Sequence, residues 1–237
     1  MNFFAIGDLH LSGTPPQKPM DIFGPHWDNH WSRIKESWLT QVSDEDVIFL
    51  VGDTSWFMHL SEALTDLEAI NQLPGQKYLI RGNHDYWWSS AAKMKKAMPD
   101  LHFLQGHGLA LGTVAFGGTR GYLCPGDKDF DEETDQSIYA RELLRTRAAL
   151  TEMDTALKAN QSEDKATRIL LLHYPPCNDK NEPSGFTQLM EEFHVDYCIY
   201  GHIHDQPTAD RLPKSFGSTQ LCLVSADIAN FEVQRIL

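Results

Sequence analysis

Cysteine is scarce and dispersed. The four in 237 residues, Cys124, Cys177, Cys198 and Cys222, form no C-x-x-C pair. Neither a disulfide framework nor a zinc knuckle is indicated, and reduced thiols in a cytoplasmic protein are the expectation. Basic residues are in deficit, with 20 Lys and Arg against 33 Asp and Glu and a formal charge of −13. That balance argues against a nucleic-acid duplex or a membrane as partner, because both need clustered cations. Long apolar runs are missing, and no stretch approaches the roughly eighteen residues a membrane helix needs. "NFFAI" is too short for the apolar region of a secretory signal and runs straight into "GDLH". There are no repeats, low-complexity blocks or clear linkers, so a single domain over 1–237 is expected.

Short apolar runs alternate with amphipathic ones. The runs predict strands at Asn2–Ile6, Val47–Val51, Lys77–Ile80, Thr113–Gly118, Arg168–His173, Asp196–Tyr200 and Gln220–Ala226. Several are apolar nearly throughout, as in strands buried on both faces. Helices are predicted at Trp31–Val42, Leu60–Asn71, Ser89–Met98, Glu132–Asn160 and Phe186–Phe193, the fourth with room for a break near Thr151. The Pro-rich "SGTPPQKPMDIFGPHW" reads as a long loop, and long ordered loops often carry function. This alternation indicates an α/β layered protein.

Polar residues concentrate where the strands stop. "FFAIGDLH" ends in Asp8 and His10, and "VIFLVGD" in Asp53. "YLIRGNHD" ends in Asn83, His84 and Asp85. "ILLLH" ends in His173, and "CIYGHIH" in His202 and His204. Ligands of open α/β sheets sit outside the carboxyl ends of the strands. Residues i and i+2 of an extended segment face the same side, so D-x-H and H-x-H are expected to grip from strand ends. Any one of these pieces alone is ordinary turn chemistry. The ordered series is not. His, Asp and one Asn without Cys suit Mn, Fe or Zn better than calcium or an iron–sulfur cluster, and the set is too large for one ion but right for two that share a carboxylate.

In this order, "GDLH", "VGD", "GNHD", "LLHYPP" and "GHIH" resemble the calcineurin-like metallophosphoesterase superfamily from Gly7 to His204. The resemblance implies a four-layer αββα sandwich of mixed β-sheets and a dinuclear centre. Asp8, His10 and His204 would bind one ion, Asn83, His173 and His202 the other, and Asp53 would bridge them. His84 would assist the leaving group, with Asp85 orienting it and keeping it protonated. The implied reaction is hydrolysis of a phosphate mono- or diester by in-line attack of a bridging hydroxide. Two divalent cations, Mn being the choice in vitro, would leave a net positive site inside an acidic protein, which favours a small phosphorylated substrate. A non-catalytic scaffold on the same fold is the alternative, and it should lack ligands that are all present here.

The substrate is less legible. "GDTSWFMHL" departs from the arginine-bearing second motif of protein phosphatases, and His84 stands where lipid A pathway enzymes carry arginine. "PKPMDIFG" and "GTRGY" are similar to a branch of bacterial phosphohydrolases. Trp56 is a candidate stacking platform and Arg120 a candidate phosphate clamp, with Asn83 also near substrate. Trp27, Trp87 and Trp88 read as substrate wall or as core, and Trp31, at the start of an amphipathic helix, reads as core.

Overall fold

The computed structural model describes residues 1–162 and 166–237. Among them the strands form two mixed sheets, and the chain divides into two compact units. The first comprises Met1–Phe103, Gly201–Gln206 and Val224–Leu237; the second comprises Leu104–Tyr200 and Pro207–Leu223.

The first unit is built on β1 (Phe3–Ile6), β2 (Val47–Val51) and β3 (Gln76–Ile80), which run parallel. β4 (His102–Leu104) and β11 (Gln234–Arg235) complete the sheet in the order β11-β1-β2-β3-β4. Every residue of β1 and β2 is buried, as expected of parallel strands covered on both faces. The register pairs Ile6 with Leu50 and Val51 with Ile80, so the three carboxyl ends finish at one edge. Helices α1 (His30–Gln41), α2 (Leu60–Asn71) and α3 (Ala91–Ala97) supply Ile34, Trp38, Ala63, Leu67, Ile70 and Met94 to the core of this unit.

The second unit carries β5 (His107–Leu111), β6 (Val114–Gly118), β7 (Thr167–Leu171), β8 (Tyr197–Tyr200), β9 (Ser215–Phe216) and β10 (Thr219–Leu223), in the order β5-β6-β7-β8-β10-β9. β6, β7, β8 and β10 are parallel and the edge strands antiparallel. Its core takes Leu150, Met153 and Leu157 from α4 (Gln136–Ala159), and Phe186, Leu189 and Met190 from α5 (Gly185–Glu192). A four-residue helix, α6 (Gln206–Ala209), follows β8. No helix among the described residues is long and apolar enough to cross a membrane.

The expected strands and helices form within a few residues of their predicted bounds, with one correction. Helix α4 does not break at Thr151: Leu150 and Met153 on either side of it are buried in the core of the second unit and hold the helix through that turn, while the Thr151 hydroxyl donates to the Arg147 carbonyl at 2.8 Å. The long loop contains two short 3₁₀ turns, Met20–Phe23 and Pro25–Trp27.

Candidate metal centre

The loops leaving β1 and β2 are zipped together beyond the sheet. Asp8 N–H donates to the Gly52 carbonyl at 2.9 Å, His10 N–H to the Asp53 carbonyl at 2.9 Å, and Leu11 N–H to the Thr54 carbonyl at 3.0 Å. The path between these bonds is not extended. Asp8, His10, Asp53 and His202 all adopt left-handed backbone, with φ of 57°, 48°, 50° and 73°. The expectation that Asp8 and His10, or His202 and His204, project together from extended backbone is therefore wrong in its geometry: kinked residues aim these side chains. A left-handed L-residue costs on the order of 1 kcal/mol, and such strain clusters at functional sites.

Two glycines let backbone press against the carboxylates. A Cβ on Gly82 would lie 2.0 Å from Asp53 Oδ1, and one on Gly201 would lie 2.4 Å from Asp8 Oδ2. Because that space is empty, His84 N–H reaches Asp53 Oδ1 at 2.8 Å and His202 N–H reaches Asp8 Oδ2 at 2.9 Å. Each carboxylate thus has a backbone amide fixing one of its oxygens.

Ligand atoms of Asp8, His10 and His204 all lie within 4.8 Å of one another. His204 Nε2 is 3.3 Å from His10 Nε2 and 3.6 Å from Asp8 Oδ1, while its Nδ1 is 3.0 Å from Asp227 Oδ1. An Nδ1–H bonded to Asp227 leaves the Nε2 lone pair directed at the cluster, the usual device by which a carboxylate orients a metal-binding imidazole. His202 Nδ1 meets Asn83 Oδ1 at 2.9 Å, which brings two further candidates together. His173 belongs to the second unit, where it follows β7, is buried, and donates its N–H to the Arg120 carbonyl at 2.9 Å.

The charge balance asks for a cation. Crowding around the His204 ring disfavours its protonated form, yet Asp227, Asp8 and Asp53 outweigh this and raise its pKa to about 9. Burial raises the Asp8 carboxyl, and Asp53 adds to that effect. The His204 shift, and the smaller part of the Asp8 shift that comes from Asp53, report negative charge that divalent ions would offset. The mixed N and O donors, the fixed carboxylates and the oriented imidazole suit Mn, Fe or Zn.

Asp85 takes a different role from the one expected. Its carboxylate accepts from Thr54 N at 2.9 Å, Ser55 N at 3.2 Å, Gly82 N at 2.7 Å and Trp87 Nε1 at 2.8 Å. It ties the loops after β2 and β3 together and does not engage the His84 imidazole. The His84 ring instead lies 4.6 Å from Trp56 and 6.2 Å from Tyr86. Trp56 also stacks on His10, at 4.8 Å and 23°. Trp87 is buried core and Trp88 packs on Phe103. The Arg120 guanidinium lies over Tyr122, 5.2 Å from the ring centre. The sequence reading missed Asp227, although it too follows an apolar strand.

Comparison with known proteins bears on the family and the fold. The Gene 66 protein of Mycobacterium phage D29 is 36% identical over 87 residues, 35% of this chain and 40% of that protein, so the match spans less than half of the relative's length. The calcineurin-like phosphoesterase YfkN from Bacillus subtilis superposes with a TM-score of 0.54 at 12% identity, covering 96% of this chain and 82% of that one. A protein of unknown function from Aquifex aeolicus gives 0.51 at 13%, covering 99% and 95%. At such identities the likeness concerns the fold. The calcineurin-like phosphoesterase model matches residues 1–206, a span that includes every candidate ligand from Asp8 to His204, and the chain belongs to that family.

Proposed function

We propose that this protein is a dinuclear metal-dependent phosphoesterase acting on a small phosphate mono- or diester. The observation that carries the reading is His204, pinned through Nδ1 to Asp227 and presenting Nε2 to Asp8 and His10. Asp8, His10 and His204 would hold one ion. Asn83 and His202, with His173 added by the family motif, would hold the other, and Asp53 would serve both. When bound, two such ions would supply Lewis-acid activation of water at neutral pH and neutralisation of charge on the phosphoryl oxygens.

The chain's own groups supply the rest. The backbone N–H groups of His84 and His202 keep one oxygen of Asp53 and one of Asp8 in place. Asp85 fixes the loop that carries Asn83 and His84. His84 Nδ1 or Nε2 donates a proton to the departing oxygen, a step worth typically about 10²–10⁴-fold. Trp56 packs on both His10 and His84 and limits their ring rotation.

The test is turnover by the purified protein with Mn²⁺ on an aryl phosphate monoester and an aryl diester, beside metal analysis. Hydrolysis lost on chelation and restored by Mn²⁺ is expected. No hydrolysis of either ester with Mn²⁺, Fe²⁺, Co²⁺ or Zn²⁺ overturns the reading.

A further inference from the structure

A cleft of about 380 Å³ opens beside His10, His84 and His204, walled by Met20, Phe23, Trp27 and Trp56, all within the first unit. We infer that it is a subsite for a planar apolar group, such as an aryl ring system, carried by the phosphoester. The inference rests on the phosphoesterase reading for the chemistry next to it, and on four observations for the ring.

The walls are fixed before any ligand arrives. The Trp56 indole N–H donates to Met20 Sδ at 3.3 Å while its ring lies on His10. Trp27 is braced edge-on by Phe231 at 5.0 Å and by His30 at 5.4 Å, and His30 Nε2 is itself held by the Leu9 carbonyl at 3.1 Å. Rigid aromatic walls favour flat ligands, which stack without first ordering the site.

Phe23 is 61% exposed at the cleft, on a short turn followed by Gly24 and Pro25. A ligand ring seated in the cleft would cover that surface and remove it from water.

The walls offer little to a polar ligand. Beyond the three histidines, the polar lining is His26 and Asp227, and Asp227 is engaged by His204. A sugar or amino-acid moiety would lose hydration there without replacement bonds. The volume lies at the low end of the range of about 300–1,000 Å³ for small-molecule clefts, enough for one ring system.

Phosphonates separate this idea from the reaction, because their C–P bond resists hydrolysis. 1-Naphthyl-, octyl- and methylphosphonate are titrated calorimetrically into the Mn²⁺-loaded protein and into its Phe23→Ser variant. The naphthyl probe is expected to bind about tenfold tighter than the methyl one and tighter than the octyl one, and Phe23→Ser to shrink the tenfold advantage to about threefold or less. Equal affinity of naphthyl and methyl probes, equal affinity of naphthyl and octyl probes, an advantage unchanged in Phe23→Ser, or no measurable naphthyl binding each overturns the subsite. Turnover of phenyl phosphate, assayed in parallel, separates the two readings. Turnover without a naphthyl advantage rejects the subsite alone. A Phe23-dependent advantage without turnover of any ester rejects the phosphoesterase reading alone.

Discussion

His204 faces an acid on each side: its Nδ1 lies 3.0 Å from Asp227 Oδ1 and its Nε2 lies 3.6 Å from Asp8 Oδ1. The outer acid sets the tautomer and the inner one shares the cluster. Asp227→Ala should therefore weaken Mn²⁺ binding about 10–100-fold, the usual cost of losing a carboxylate behind a ligand histidine. Asp227→Asn keeps an acceptor oxygen without the charge and should lose less. Metal content after desalting, with Mn²⁺ titration of each variant, checks the order. Equal affinity in all three proteins would show that Asp227 does not orient the site.

The empty space at Gly82 makes a second, steric prediction. A Cβ there meets both Asp53 Oδ1 at 2.0 Å and Asp53 N at 2.2 Å, so backbone as well as side chain must move. Gly82→Ala should cost about 2–3 kcal/mol and lower Tm by roughly 4–12 °C, with reduced metal content. Gly112→Ala is the control: it has left-handed backbone at φ +60° but nothing within 4 Å of the added Cβ. It should cost about 1 kcal/mol from backbone alone and leave metal content unchanged. Equal Tm losses in the two variants would refute the close-approach account.

The contrast between Asp8 and Asp227 shows what the sequence made legible. Asp8 stands in a tight motif directly after an apolar strand, and the motif series revealed it together with the fold class. Asp227 follows Gln220–Ala226 in the same way, but it is alone in its segment, and a single strand-end acid is ordinary turn chemistry. The left-handed turns at Asp8, His10, Asp53 and His202 were hidden because Asp and His adopt them without glycine as a marker. The role of Asp85 was misjudged for a different reason. Adjacency to His84 suggested a pair, whereas the nearest unsatisfied donors were backbone N–H groups of Thr54, Ser55 and Gly82. Strands β4, β5, β9 and β11 are short or lack a strong apolar pattern, and edge pairing with a neighbour defines them.

His84 and Asp85 should separate kinetically. If His84 protonates the leaving oxygen, His84→Ala should retain both metals yet lose about 10²–10⁴-fold in kcat on an alkyl phosphate, and much less on an aryl ester whose leaving group needs no proton. Asp85→Asn, even with its oxygen placed at the Oδ1 position, must present its NH₂ to the Gly82 N–H, so it should lower Tm and metal content together. Its loss of activity should not depend on the leaving group. Steady-state kinetics on esters of graded leaving-group pKa, with thermal melts, distinguish the two. A His84→Ala enzyme fully active on the alkyl ester would remove the general-acid role.

Away from the centre, Asp46 supplies a pH signature for the first unit. Its Oδ1 accepts from Asn2 N at 2.6 Å and its Oδ2 from Ser43 N at 3.0 Å and Ser43 Oγ at 2.8 Å. The Asn2 amide, aided by Ser43 and against the effect of burial, lowers its pKa from the ordinary 3.8 to about 2. Because the folded value lies below the unfolded one, this stabilisation is complete above about pH 4 and disappears as pH falls towards about 2. Asp46→Asn replaces one oxygen with a donor, leaving the Asn2 or Ser43 amide unpaired, and should cost about 1–2 kcal/mol at neutral pH. Urea midpoints of wild type and Asp46→Asn should therefore converge as the pH is lowered from about 5 to about 2.5. A gap that stays constant across that window would mean that the carboxylate charge contributes nothing to the junction it holds.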